Sequence, residues 1–239
     1  MATVKVCLLV CATGAQFYAL TPPNATPDSK ERLKPTGMEL TTTWLPLLMK
    51  SIPCACALAE ILVAFATAHE SAISKSITSL LVRTHSLPDF DLTVSTPALI
   101  TGSFLCIIGT AIRSHCYRTL GRLFTFELSI RQGHELVTSG PYSIVRHPSY
   151  SAGWCFCLGI WLCHLHPWSW LVSCSGIFPS SDHTIKWLLG CIWVALCGFL
   201  YTFLRGRIQR EEVMLEQHFG DKWRRYRKKV PYRLVPWLY

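Results

Sequence analysis

Two segments of this 239-residue chain are dense in side chains that can do chemistry. The first, residues 134–150, carries two histidines, a glutamate, an arginine and two tyrosines. The second, residues 205–226, contains Arg207 and Glu211, which share one face if the segment is helical. One fixed cation and one fixed anion beside several aromatic rings suit a zwitterionic ligand together with an anionic partner. A simple surface ion pair between Arg207 and Glu211 is the alternative.

The first segment also contains a helix start. Pro148 suits the first position of a helix, and His147 before it is restricted to extended geometry. The backbone N–H groups of Ser149 and Tyr150 are then predicted to be free at a helix N-terminus, where an anionic group is favoured. A helix start preceded by an interfacial histidine and arginine explains the same residues without a ligand.

Metal and disulfide chemistry is not predicted. Most of the 12 cysteines lie inside apolar runs, where free thiols behave as small hydrophobic groups. Cys163, His164 and His166 form the one cluster that can hold a metal, but a turn between two membrane spans explains it better. We therefore expect neither a disulfide framework nor a metal site.

The elements that position these segments are membrane helices. Half of the residues are hydrophobic, 15% are charged, and the mean hydropathy is +0.30. Residues 6–27, 92–112, 147–181 and 187–204 contain no Asp, Glu, Lys or Arg. Such stretches match the roughly 30 Å hydrocarbon core of a bilayer, which a helix rising about 1.5 Å per residue must cross. The composition thus excludes an ordinary soluble domain and predicts an all-α polytopic membrane protein.

We expect about five transmembrane helices in a single membrane domain, 1–239, with N-terminal spans in 1–112 and a catalytic half in 113–239. The segment Ile73–Val82 is amphipathic and is predicted to be a surface loop or an interfacial helix, with a sixth pass as the alternative. The last two spans are predicted to form a helical hairpin, which brings the two polar segments together. The predicted spans are Val4–Leu20, Thr42–Ala66, Leu92–Ile112, Pro148–Pro167 and Ile185–Leu204; for the first, a retained helix is favoured over a cleaved signal peptide.

The net charge of +9 marks orientation rather than nucleic-acid binding. Arginines and lysines cluster in residues 113–146 and 205–239, and cytoplasmic loops of membrane proteins carry such an excess. Both segments are therefore predicted to lie in the cytosol, in contact with membrane lipid. With five spans, the amino terminus then lies in the lumen.

The sequence motifs in and after the two polar segments resemble those of a known protein family. The pattern H-x-L-V-x-x-G-x-Y-x-x-x-R-H-P-x-Y begins at His134, R-x-x-x-E-E begins at Arg207, and an F-G-x-x-W-x-x-Y-x-x-x-V-P string begins at Phe219. Together they are similar to the isoprenylcysteine carboxyl methyltransferase family of membrane enzymes, over about Thr110 to Pro236. Phospholipid methyltransferases and the C-terminal part of sterol reductases share parts of the pattern.

This resemblance implies methyl transfer from S-adenosylmethionine to the carboxylate of a C-terminal prenylated cysteine at the endoplasmic reticulum membrane, with the active site facing the cytosol. Implied partners are prenylated proteins such as small GTPases or lipidated peptide pheromones. Glu127 stands where relatives commonly carry glutamine. The residues implied to enclose the cofactor are Glu127, His134, Glu135, Leu136, Val137, Tyr142, His147, Pro148, Ser149, Tyr150 and Glu211.

The implied chemistry fits the available side chains. A carboxylate with a pKa near 3.5 is ionised at pH 7 and attacks a sulfonium methyl group without a general base. The hypothesis is that Arg207 orients the substrate carboxylate, that Arg146 supports that charge or the site geometry, and that Glu211 anchors the amino group of the cofactor. The alternatives are a phospholipid N-methyltransferase, a sterol-type membrane reductase and a non-catalytic lipid-binding membrane anchor.

Overall fold

A computed structural model describes residues 2–28, 30–32, 40–69, 71–83, 94–179 and 181–238, and it confirms an all-α fold. In these residues the regular structure is helical apart from one isolated bridge between Arg32 and Ser129. The helices are α1 (Ala2–Ala19), α2 (Leu40–Ala68), α3 (Ala72–Leu81), α4 (Pro97–Leu120), α5 (Pro148–His164), α6 (Trp170–Ser173), α7 (Asp182–Phe219) and α8 (Asp221–Lys229), with 3-10 turns at Gly121–Leu123 and Gly140–Ser143.

In the described part of the chain, α1, α2, α4 and α7 are long and apolar enough to cross a membrane. α5 has 17 residues, the lower limit for crossing, and carries no charged residue. α3 has 10 residues and rises about 15 Å, half of the hydrocarbon thickness. It is therefore a short helix beside the bundle, and the alternative of a sixth pass there is wrong.

α4 and α5 are packed backbone to backbone through glycines. A Cβ atom on Gly102 would lie 2.7 Å from the carbonyl oxygen of Gly159, and one on Gly109 would lie 2.8 Å from the carbonyl oxygen of Ala152. Small residues allow such close approach between membrane helices, where van der Waals contact replaces the hydrophobic effect. This pair forms a closely packed centre of the bundle.

α7 is one continuous helix of 38 residues, about 57 Å long. It therefore carries the polar segment around Arg207 and Glu211 out of the bundle without a break, as predicted. It ends at Gly220, whose φ of 52° favours glycine, and α8 follows at once. α5 and α7 form the predicted hairpin, and they contact each other through side chains. The ring centroids of Trp161 on α5 and Trp193 on α7, for example, are 5.7 Å apart.

Contacts between helix ends define two opposite sides of the bundle. The carbonyl of Ala19, at the end of α1, accepts hydrogen bonds from Arg113 and from the Tyr117 hydroxyl near the end of α4. On the opposite side, Lys5 near the start of α1 contacts Glu60 of α2, which in turn accepts from the Trp170 N–H. The start of α1 thus lies on the side opposite the polar segments, as the predicted orientation requires.

Candidate functional site

A cavity lies between the polar segments and the helix bundle. Its empty volume is about 1500 Å³, counting the open space at its mouth. Every residue proposed for the site from the sequence lines it except Pro148. α4, α5 and α7, the loop between α4 and α5, and α8 all contribute to its wall.

The polar end of the cavity is organised around the Tyr150 hydroxyl. Arg207 donates from Nε to this hydroxyl at 2.8 Å, and the hydroxyl donates to Glu211 Oε2 at 2.5 Å. Arg207 is further fixed by a hydrogen bond from Nη2 to the carbonyl of Phe126. Because Arg207 and Glu211 are one turn apart on α7, both face Tyr150 on α5. The pair is thus part of the cavity wall, and the alternative of a plain surface ion pair is wrong.

Next to this trio lies a buried network around Glu212. Its carboxylate accepts from Arg146 Nε at 2.9 Å and from Arg233 Nη2 at 2.8 Å, and His147 Nε2 lies 3.3 Å from Oε1. His147 is 3% exposed and stacks on Tyr150, with ring centroids 5.6 Å apart. Glu212 and Arg233 were not singled out from the sequence. Glu212 has one local signal, as the second glutamate of the R-x-x-x-E-E pattern, and Arg233 lies outside that pattern.

The Arg146 side chain forms its hydrogen bonds with other groups of the protein. Besides Glu212, its Nη1 donates to the carbonyls of Val230 at 2.7 Å and Pro231 at 2.6 Å. Of the two roles expected for Arg146, these contacts favour support of the site geometry over direct contact with a substrate charge.

The expected free helix N-terminus is partly wrong. The backbone N–H of Tyr150 donates to the His147 carbonyl at 3.0 Å, so it is not available to an anion. The side chain of Ser149 accepts a hydrogen bond from Arg113 on α4, with Nη1 at 2.9 Å from the hydroxyl oxygen. The His147 carbonyl accepts the first backbone hydrogen bond of α5. The sequence pattern does not show that this carbonyl takes the place of an anion.

His134 and Tyr142 line the cavity from the loop between α4 and α5. Burial, with a contribution from nearby His218, lowers the pKa of His134 below its usual value, so the ring is neutral at pH 7. Burial raises the pKa of Tyr142 well above its usual value, which keeps its hydroxyl protonated. The polar end therefore presents neutral aromatic groups around the Glu211 carboxylate.

Glu127 also lines the cavity, and it lies beside a residue of the N-terminal half. Arg32 Nε is 2.9 Å from Glu127 Oε2. The segment that carries Arg32 is docked on the cavity loop, because the Asn24 amide donates to the carbonyls of Gly121 and Phe124, both at 2.9 Å.

Arg113 is the main cavity residue that sequence reasoning missed. It is 9% exposed, and its guanidinium carbon lies 4.8 Å from the centre of the Phe126 ring. It donates to α1 and α5 from α4, so it joins three helices under the polar end. Other unpredicted lining residues come from the aromatic loop, from α8 and from the first two helices: Phe124, Phe126, Trp223, Tyr226, Leu20, Leu45, Pro46 and Met49.

The opposite end of the cavity is apolar. Its lining there includes Leu200, Phe203 and Leu204 of α7 and Phe156 and Cys157 of α5. These residues lie on the stretches of the two helices that contain no charge. One cavity thus joins a charged end to an apolar end at the depth of the bundle, which suits two reactants of opposite polarity.

The described residues contain no group of three or more His, Cys, Asp and Glu side chains placed to hold a metal ion. Cys163, from the cluster considered above, has its Sγ against the Ser103 hydroxyl and the Leu99 carbonyl of α4, both at 4.0 Å. All 12 cysteines are free thiols.

Comparison with known proteins confirms the resemblance found in the sequence. Residues 100–178 match the isoprenylcysteine carboxyl methyltransferase (ICMT) family. Protein-S-isoprenylcysteine O-methyltransferase B of Arabidopsis thaliana is 31% identical over 134 residues, which cover 54% of this chain and 55% of that protein. The protein-S-isoprenylcysteine O-methyltransferases of Schizosaccharomyces pombe and Homo sapiens are 33% and 27% identical, covering 54% and 55% of this chain and 45% and 39% of theirs. The matched stretch thus spans about half of the chain and about half or less of these relatives.

Proposed function

From its similarity to the isoprenylcysteine carboxyl methyltransferase family, we propose that this membrane protein methylates the carboxylate of C-terminal prenylated cysteines, with S-adenosylmethionine as methyl donor. The observation that carries the proposal is the single cavity with one charged and one apolar end. A prenyl chain partitions into hydrocarbon, whereas adenosylmethionine is water-soluble. A site at the interface that offers both environments meets this requirement.

The residues at the polar end fit the methyl donor. When bound, adenosylmethionine supplies an electrophilic methyl group on a sulfonium centre and carries an ammonium group. Glu211 is a partly exposed carboxylate at the cavity wall and suits the ammonium group. The neutral rings of His134 and Tyr142 offer faces to a positive centre.

Arg207 suits the substrate carboxylate. Its guanidinium is held in place by Tyr150 and by the Phe126 carbonyl, so it presents a fixed positive charge at the junction of the polar and apolar ends. The carboxylate is already ionised and forms its bond to the methyl carbon as the carbon–sulfur bond breaks, so no protein base is needed. The protein contributes alignment of the two reactants and exclusion of water.

The same reasoning extends to location and partners. The polar end of the cavity lies on the side that carries the arginine-rich segments, which by the charge rule faces the cytosol. We infer residence in the endoplasmic reticulum membrane from the family. Substrates would be proteins that end in a prenylated cysteine, for which small GTPases and lipidated peptide pheromones are candidates.

A methyl-transfer assay tests the proposal. Purified protein in lipid nanodiscs receives labelled adenosylmethionine with either a farnesylcysteine analogue or phosphatidylethanolamine. We expect a base-labile methyl ester on the prenylcysteine. Label in phosphatidylethanolamine would instead identify a phospholipid methyltransferase, and the absence of both cofactor binding and transfer would identify a non-catalytic anchor.

Arg207→Ala should lower kcat/KM by roughly 10- to 100-fold, the usual effect of removing a charge-assisted hydrogen bond. Arg205→Ala is the matched control, because Arg205 is exposed and its guanidinium donates to the Tyr201 hydroxyl on the same helix. Equal activity of the two variants, both folded, would show that Arg207 does not hold the substrate.

A further inference from the structure

The segment after α8 runs back across the first polar segment as a strap, which we define as residues 230–234. The backbone N–H of Arg146 donates to the Tyr232 carbonyl, and that of His147 donates to the Arg233 carbonyl, both at 2.9 Å. The Arg146 side chain adds two bonds to the carbonyls at the start of the strap. The strap therefore fixes the residues that precede α5 and the His147 ring at the cavity wall.

The far end of the strap lies at membrane depth. The carbonyl of Leu234 accepts from the hydroxyl of Ser151 at 2.5 Å, and Ser151 belongs to the first turn of α5. α5 has 17 residues and rises about 25 Å, slightly less than the roughly 30 Å hydrocarbon core, so its first turn lies near the edge of that core. Leu234, beside this turn, is thus near the boundary between acyl chains and headgroups.

The residues that follow the strap expose large apolar side chains at this level. Trp237 is 86% exposed, Leu238 is 81% exposed and Val235 is 46% exposed. They form one turn, closed by a hydrogen bond from the Leu238 N–H to the Val235 carbonyl at 3.2 Å. A tryptophan with neighbouring aliphatic groups is the composition that favours the interface between headgroups and acyl chains.

We propose that residues 235–238 are an interfacial anchor that rests in the bilayer headgroup region and holds the strap against Arg146 and His147. The bilayer is then a structural component of the cavity wall. Membrane contact closes the strap on the polar segment, and loss of that contact loosens the backbone around His147. The proposal rests on the geometry of the strap and holds whether or not the protein is a methyltransferase.

Photo-crosslinking tests the membrane contact. A benzophenone amino acid replaces Trp237 in the full chain, reconstituted in phosphatidylcholine nanodiscs. The control position is Gln217, which is exposed on α7 but lies 13 residues beyond Leu204, about 20 Å farther along the helix. We expect phosphatidylcholine adducts at position 237 at about tenfold the yield at position 217. Equal yields would overturn the anchor.

Hydrogen–deuterium exchange tests the coupling to the site. The double variant W237S/L238S should speed exchange of the Arg146 and His147 amides by about tenfold in nanodiscs, because these amides are bonded to the strap. Ile177→Ser is the control, since Ile177 is 72% exposed in the connection on the opposite side of the molecule. The conservative variant W237F/L238I should retain slow exchange, and unchanged exchange in W237S/L238S would overturn the proposal.

Discussion

Among the residues of the polar end, His134 is a histidine whose pKa is shifted by its surroundings. Its pKa lies below the usual value of about 6.5, because burial and nearby His218 disfavour the charged ring. The folded state therefore binds fewer protons than the unfolded state as pH falls through 6.5. Both stability and affinity for a sulfonium ligand should then decline toward acid pH, where a protonated ring opposes the positive centre.

We expect the dissociation constant of adenosylmethionine to be constant from pH 8 to pH 7 and to rise several-fold by pH 5, when measured by calorimetry. His134→Asn should flatten this dependence, because asparagine does not titrate. His183→Asn is the control, since His183 lies exposed at the start of α7, on the side of the molecule away from the cavity. The same pH dependence in His134→Asn as in wild type would show that another group is responsible.

Local spacing explains why the sequence pairs Arg207 with Glu211, whereas most of the other proposed site residues come from the family resemblance. Arg207 and Glu211 are four residues apart, so helical geometry alone places them on one face. Glu212 and Arg233 are 21 residues apart, and Arg146 meets carbonyls 84 and 85 residues away. Contacts at such separation depend on how helices pack, which the pattern of one segment does not contain. The same reason hides Arg113, whose partners lie on α1 and α5.

At the level of elements, the close approach of α4 and α5 is the feature most sensitive to a single methyl group. Gly102→Ala would place a Cβ atom 2.7 Å from a backbone oxygen of α5 and 2.8 Å from Cys163 Sγ, so the two helices must separate. We expect a loss of about 1 to 3 kcal/mol in the free energy of unfolding, followed by thermal or denaturant unfolding in micelles. Both polar segments adjoin these helices, so the cavity should widen as well.

Gly190→Ala provides the matched control for this substitution. Gly190 lies inside α7, and nothing lies within 4 Å of an added Cβ atom. Alanine favours the helix there, so stability should be unchanged or slightly higher. Equal stability of the two alanine variants would contradict tight packing between α4 and α5.

The sequence predicts which segments form membrane helices, but it does not predict which helices pack against each other. Charge-free runs of membrane length identify α1, α4, α5 and the apolar part of α7, because a helix in lipid requires apolar residues throughout. α2 is identified by an apolar stretch that still contains Lys50 and Glu60. The tightest pair is α4 with α5, whereas the predicted hairpin of α5 and α7 meets through side chains around the cavity. Which faces meet is decided by glycine positions, and glycines also occur on α7 without any such contact.

At the level of the whole molecule, the cavity side and the opposite side are stabilised by different means. Hydrogen bonds from Arg113, Arg146 and the strap hold the cavity side. On the opposite side, Lys5 Nζ lies 2.6 Å from Glu60 Oε1, and both residues are 1% exposed. The sequence indicates only that Glu60, a charged residue in a membrane span, must face protein, water or the interface. Its partner, Lys5, comes from the start of the N-terminal half.

The Lys5–Glu60 pair should stabilise the bundle without serving the cavity. Lys5→Met leaves the Glu60 carboxylate buried without its cation, so we expect a loss of about 3 to 5 kcal/mol in the free energy of unfolding in micelles. The double variant K5M/E60L removes both charges and should recover most of that loss, because two apolar groups of similar volume cost little in a buried site. Methyl transfer per folded molecule should stay within about twofold of wild type in the double variant, since the pair is on the side opposite Arg207. If K5M/E60L were as unstable as Lys5→Met, the pair would be needed for its charges; if it folded but lost methyl transfer, the two sides of the molecule would be coupled.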